Sequence, residues 1–132
     1  MMKGAKYARS SLRMIAAVPL LVLVACSGQK KAEHIKIAAE SAARLQEGVV
    51  EFATSQQRWP SRIEDLKVGG DPLPGVTYGV SEGGMISIWF RDGSVLPGAV
   101  LRYTPTQDAG GNVTWACVTE ALDGSLKPAG CA

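Results

Sequence analysis

From Ala32 to Phe52 the apolar residues fall at steps of three and four: Ile35, Ala38, Ala39, Ala42, Leu45, Val49 and Phe52. That spacing gathers them on one stripe of a helix. Glu33, Glu40, Arg44, Glu47 and Glu51 occupy much of the rest. Gly48 is the only weak interior point in a run rich in Ala, Glu, Gln and Lys, and no proline interrupts it before Pro60. The pattern predicts a helix over about residues 31–56, on the order of 35–40 Å long. This exceeds what a domain of about 100 residues needs, so its N-terminal end is expected to project. Trp59-Pro60 ends it, because the residue before proline is pushed out of the helical region. Ser61-Arg62-Ile63-Glu64 reads as a capping box opening one further turn through Leu66. Val68 to Gly75, with Gly69-Gly70, Pro72 and Pro74, reads as a wrapping loop.

An amphipathic helix needs a cover, and the second half of the chain supplies one. Val76 to Ser81, Met85 to Arg91, Val100 to Thr104 and Asn112 to Val118 are short β-like runs. Glu82-Gly83-Gly84, Asp92-Gly93 and Ala109-Gly110-Gly111 punctuate them. Short connections imply antiparallel neighbours. In the second run Ile86, Ile88 and Phe90 share one face, while Ser87, Trp89 and Arg91 share the other. The expected fold class is α+β: one long N-terminal helix packed on an antiparallel sheet of about four strands.

Upstream of the helix, Lys3, Lys6, Arg9 and Arg13 lead into an apolar run, Met14 to Ala25, that ends at Cys26. About a dozen apolar residues are too few to span a bilayer, which takes roughly 20, and suit the h-region of a secretory signal. Leu23-Val24-Ala25-Cys26 also resembles the bacterial lipobox, after which Cys26 becomes the lipidated, palmitate-bearing first residue of a mature lipoprotein. The alternative is an ordinary secreted protein whose h-region happens to end in cysteine. The expected organisation is a signal peptide over 1–25, a lipidated cysteine and polar tether over 26–31, and a single domain over 32–132. Ser27 follows the cysteine where aspartate would resemble an inner-membrane retention signal, so the outer membrane is the expected location.

Removing the signal leaves 10 Lys or Arg against 12 Asp or Glu, a balance of −2. No Lys/Arg cluster remains to bind phosphates, so nucleic acid is not an expected partner. With Cys26 taken by lipid, Cys117 and Cys131 can pair in an oxidising compartment and close a loop of about 15 residues, which contributes on the order of 3 kcal/mol. Two free thiols or a metal pair are the alternatives, although the only histidine, His34, lies far upstream. No metal site and no cofactor are expected. His34 reads as a solvated residue. Glu64 and Asp65 are adjacent and do not face each other on a helical turn. The glycine pairs 69-70, 83-84 and 110-111 lack the spacing of a phosphate-binding loop. No catalytic equipment is visible, and the chain is not expected to be an enzyme.

Aromatic residues point instead to binding. Trp89 lies on the sheet face opposite Ile86 and Phe90 and is either an outward interface anchor or covered by the connecting region through Val68, Leu73 and Val76. Trp115 is expected under the disulfide loop, and Trp59 as a staple at the helix end. Within the loop from Val118 to Gly130, Glu120, Asp123 and Lys127 are the remaining binding candidates.

Glu47-Gly48-Val49-Val50-Glu51-Phe52-Ala53 running into Arg58-Trp59-Pro60-Ser61 with Asp65-Leu66 resembles the end of a type IV pilin's long helix and the start of its αβ-loop. Gly84-Met85-Ile86-Ser87-Ile88 is similar to the pilin sheet. Thr114-Trp115-Ala116-Cys117 with Leu126-Lys127-Pro128-Ala129-Gly130-Cys131 is similar to the ends of the pilin disulfide region. Over about residues 32–132 the chain thus resembles the globular half of type IV pilins and type II secretion pseudopilins. The resemblance implies a C-terminal disulfide loop that contacts neighbouring subunits or host surfaces. The N-terminal segment departs from it. Gly4 is followed by Ala5, Lys6, Arg9 and Arg13 rather than by a Phe-Thr-Leu-Ile-Glu-like spine, and burying those charges in a bilayer would cost several kcal/mol. The combination implies a lipid-anchored, non-enzymatic module, accessory to a type IV pilus or related secretion or adhesion system. Its expected partners are the membrane, through Cys26, and pilins, pseudopilins or other envelope proteins. The alternative is an adhesin or ligand-binding outer-membrane lipoprotein outside any filament.

Overall fold

The computed structural model describes the backbone of residues 4–68 and 73–132, with side chains from residue 28 onward. The expected signal peptide and Cys26 lie outside the residues whose side chains are described, as do positions 69–72 of the expected loop. The first element, α1, is the helix Gly4–Gln56. Residues 28–31, expected as a tether, are helical and exposed. The correction has a simple cause: Gln29, Lys30 and Lys31 are good helix formers, and one glycine does not stop a helix that continues on both sides. Among the described residues no helix is long and apolar enough to cross a membrane.

α1 stops at Gln56, and the next residue, Gln57, has a left-handed φ of 57° while its N–H still reaches the Ala53 carbonyl at 3.0 Å. A short 3-10 turn, Ile63–Asp65, follows the buried Pro60. The expected capping box is not formed there. Asp65, not Glu64, accepts from the backbone N–H of Ser61, at 3.1 Å, and its partner Arg62 Nε lies at 3.5 Å. The shorter carboxylate one residue later closes the turn, leaving Glu64 exposed.

The strands are β1 (Val76–Ser81), β2 (Met85–Phe90), β3 (Val100–Gln107) and β4 (Val113–Glu120), hydrogen-bonded in that order as an antiparallel meander. β3 and β4 run three and two residues beyond their expected C-terminal ends, because they pair without a break from Val100–Glu120 to Gln107–Val113. The register puts Val76, Tyr78 and Val80 opposite Phe90, Ile88 and Ile86, and continues through Leu101 and Tyr103 to Thr119 and Cys117. That face meets the stripe of α1. Ile35, Ala38, Ala42, Leu45 and Val49 join Ile86, Ile88, Phe90 and Leu101 in one core, with Ala39 and Phe52 only partly buried at its margins.

Gly84 sits at the crossing of helix and sheet, with φ +74° and its backbone close to Trp59, Val49 and Pro105. A positive φ and this close approach together explain why glycine is there. Trp59 packs against the core beside it, as expected of a staple at the helix end.

Candidate functional site

The face of the sheet turned away from α1 carries the first candidate. Thr77 pairs with Trp89, Trp89 with Val100 and Val100 with Glu120, so four strands contribute one transverse row. The adjoining row is Gly79, Ser87, Arg102 and Val118. Two of the four binding candidates, Trp89 and Glu120, therefore share a row. Trp89 is half-buried, and Leu73 and Val76, two of the residues named as its cover, belong to the core on the opposite face. Val68 also packs against that core, so Trp89 lies on the sheet face turned away from α1.

Two arginines complete this surface: Arg91, on the Trp89 face of its strand as expected, and Arg102, which was not among the expected site residues. Arg91 Nε donates to Thr77 Oγ1 at 3.2 Å, which lays its guanidinium back beside Trp89. Arg102 forms an ion pair with Glu120 across β3 and β4. Arg102 is a two-residue neighbour of the outward Val100, so alternation along β3 puts it on this face, and only the strand register brings it to Glu120. Val118, 51% exposed, is the one exposed large apolar side chain among the described residues.

The second candidate is the loop closed by the disulfide between Cys117 and Cys131. The residue after it is held by the edge of β4: Ala132 N–H donates to the Cys117 carbonyl at 3.0 Å and Thr119 N–H to the Ala132 carbonyl at 2.9 Å. A 3-10 turn, Gly124–Leu126, folds back on α1, where Leu126 and Pro128 line a shallow apolar hollow with Ala32, Ile35 and Ala39. Asp123 and Lys127 project from this loop and are exposed, away from the row of Trp89 and Glu120. Trp115 takes a different place from the one expected. It is on the core side of β4, beside Ala43, Gln46 and Val50 of α1, because odd-numbered residues of that strand face the helix.

His34 is partly buried rather than solvated, and its Nδ1 is buried without a hydrogen-bond partner. Among the described residues no group of three His, Cys, Asp or Glu side chains is placed to hold a metal ion. The perturbed groups lie elsewhere. Hydrogen bonds from the backbone of Asn112, and further ones from the Asn112 side chain and the Gly110 backbone, hold the Asp108 carboxyl below its usual range in the β3–β4 turn. The backbone N–H of Ser61 does the same for Asp65. Burial pushes the Tyr103 phenol up. Each is explained by turn closure or by the core.

No curated protein matches the chain. The family model for the pilins of bacterial filaments matches residues 27–132. That span takes in the described length of α1 from Gly28 onward, the four-stranded meander and the disulfide loop that closes on β4. The chain belongs to the pilin family.

Proposed function

We propose that the protein is a lipid-anchored, non-enzymatic pilin-like module that serves as an accessory or minor component of a type IV pilus or a related secretion or adhesion system. The observation that carries this is the pairing of a pilin domain over residues 27–132 with Leu23-Val24-Ala25-Cys26 just upstream of it. Family membership supports a role in a filament system within the cell envelope or outside the cell. The lipobox supports a tether of a different kind from a pilin's own spine, with Cys26 carrying the lipid and the outer membrane as its location. Docking would use the disulfide loop, with Asp123 and Lys127, or the exposed side of α1. Affinity capture on the full chain is expected to recover pilins or pseudopilins. Deletion of the gene with pili, twitching and secretion all unchanged would reject the filament role. Cys26→Ala is expected to release the protein from the membrane fraction, and an unchanged distribution would reject the lipid anchor.

A second reading, an adhesin or ligand-binding lipoprotein outside any filament, is favoured by the outward position of Trp89 beside Arg91 and Glu120. Protease shaving of intact cells separates the two, since only a surface-exposed protein is cut.

A further inference from the structure

Trp89 lies down along the sheet rather than standing off it. Its six-membered ring reaches over Gly79, where a Cβ would come within 2.7 Å of Cζ3. Ser87 and Val100, its neighbours on the same face, are only 3% and 8% exposed, although α1 and the core lie on the other side. An indole in this attitude shields the strand beneath it and turns the remainder of its surface to solvent. Among the described residues the only ring with a guanidinium stacked over it is Phe52, under Arg58, while Arg91 donates to Thr77, the strand partner of Trp89.

The charges around this ring are balanced. Arg91 and Asp92 line one shallow hollow with Trp89, and Arg102 in the adjoining row pairs with Glu120 at the far end of the Trp89 row. Such a surface offers no net field for a polyanion such as nucleic acid. It offers donors and acceptors side by side around an apolar plane. Sugar hydroxyls, each of which both donates and accepts, match guanidinium and carboxylate groups set together. The C–H face of a pyranose matches the indole, and that face is flattest where all ring substituents are equatorial.

We propose that the outer face of the sheet at Trp89 binds a neutral, β-linked, gluco-configured saccharide. One ring lies against the indole, with its hydroxyls on Arg91 and Thr77; the next reaches the Arg102–Glu120 pair, two strand spacings or about 10 Å away. This site lies apart from Asp123 and Lys127 of the disulfide loop and stands whether or not the protein enters a filament. The surface is shallow, so a single contact is weak, and several copies on one cell surface would supply avidity.

The test uses the full chain with cellotetraose and chitotetraose as probes. Titration of either is expected to move the Trp89 indole N–H resonance while those of Trp59 and Trp115 stay fixed. Saturation transfer is expected to fall on the C–H protons of one sugar face. Glu120→Gln and Arg102→Met are each expected to weaken binding several-fold, and Trp89→Leu at least tenfold, with melting temperatures measured alongside. If Trp89→Leu does not fold, the resonance shift in the unaltered protein decides. No shift at millimolar probe, shifts confined to Trp59 or Trp115, or binding of an acidic polymer such as alginate in place of the neutral probes would each overturn the proposal.

Discussion

The ring of Trp89 fills the space that a side chain on residue 79 would require, with Cζ3 at 2.7 Å and Cη2 at 3.0 Å from an ideal Cβ on Gly79. The ring is the free end of a side chain on the outer face, so it can swing away without moving the backbone. Gly79→Ala is therefore expected to lower the melting temperature by no more than a few degrees, equivalent to about 1 kcal/mol or less. It should nevertheless displace the Trp89 indole N–H resonance, assigned by its loss in Trp89→Phe. Three indole signals coincident with wild type would show that the contact does not exist in solution.

Gly84 is the opposite case. A Cβ there meets Trp59 Cε3 and Val49 Cγ1 at 3.1 Å each and Pro105 at 3.3 Å, and φ is +74°. These neighbours belong to or line the buried core, so they cannot swing aside. Left-handed strain and overpacking together are expected to cost Gly84→Ala about 2–4 kcal/mol. Urea denaturation should show this as a lower midpoint at unchanged slope; a loss under about 1 kcal/mol would count against the packing.

Cys117 and Cys131 are 14 positions apart in sequence, and the bridge pins the segment that pairs with the edge of β4. Reduction, or the double change Cys117→Ser and Cys131→Ser, is expected to remove about 3 kcal/mol through the freed loop. Amide exchange at Ala132 and Thr119 should accelerate, while exchange at Ile88 and Leu101 changes only in line with global stability. Unchanged protection at Ala132 would mean that the hydrogen bonds alone hold this segment.

Asp108 Oδ1 accepts from the backbone N–H groups of Gly110 and Asn112, both at 2.9 Å. These bonds favour the ionised form and set the folded pKa below the unfolded value of about 3.9. The turn therefore has its full contribution above that value and loses it as pH falls through the folded pKa. Side-chain carboxyl NMR titration is expected to place the Asp108 midpoint below 3.9, and Asp108→Ala should flatten the acid limb of stability against pH. A midpoint at or above the ordinary value would exclude this role.

The Arg102–Glu120 pair is open to solvent, with side chains 36% and 54% exposed. Screening leaves such pairs worth about 0–1 kcal/mol. Glu120→Gln and Arg102→Met are thus expected to fold normally, within a few degrees of wild type by thermal melt, and a larger loss would assign the pair a structural role.

Much of this architecture was legible because two periodicities are clean. Steps of three and four from Ile35 to Val49 and alternation through Ile86, Ile88 and Phe90 each identify a buried face, and these faces meet. The ends were harder to read. Residues 28–31 are helical because an established helix carries polar residues onward, and β3 and β4 lengthen because each gives the other partners. Asp65 rather than Glu64 closes its turn through carboxylate reach, which a motif does not encode. In the candidate site, alternation along their own strand already put Trp89 and Arg91 on one face. The rest of the company could not be placed: Arg102 and Glu120 come to that face only once the registers of β2, β3 and β4 are fixed.

Each strand pairs with its neighbour along the chain, and the connections between them are only 3, 9 and 5 residues long. Such hairpins close in about 1–10 μs, whereas disulfide formation takes seconds to hours. α1 is joined to the sheet through 19 intervening residues, and its stripe has nothing to pack on until the meander exists. The helix leaves the ribosome first and finds its cover last. During that interval Ile35, Leu45 and Val49 face solvent, so the vulnerable stage in this protein's life is the one between synthesis and docking.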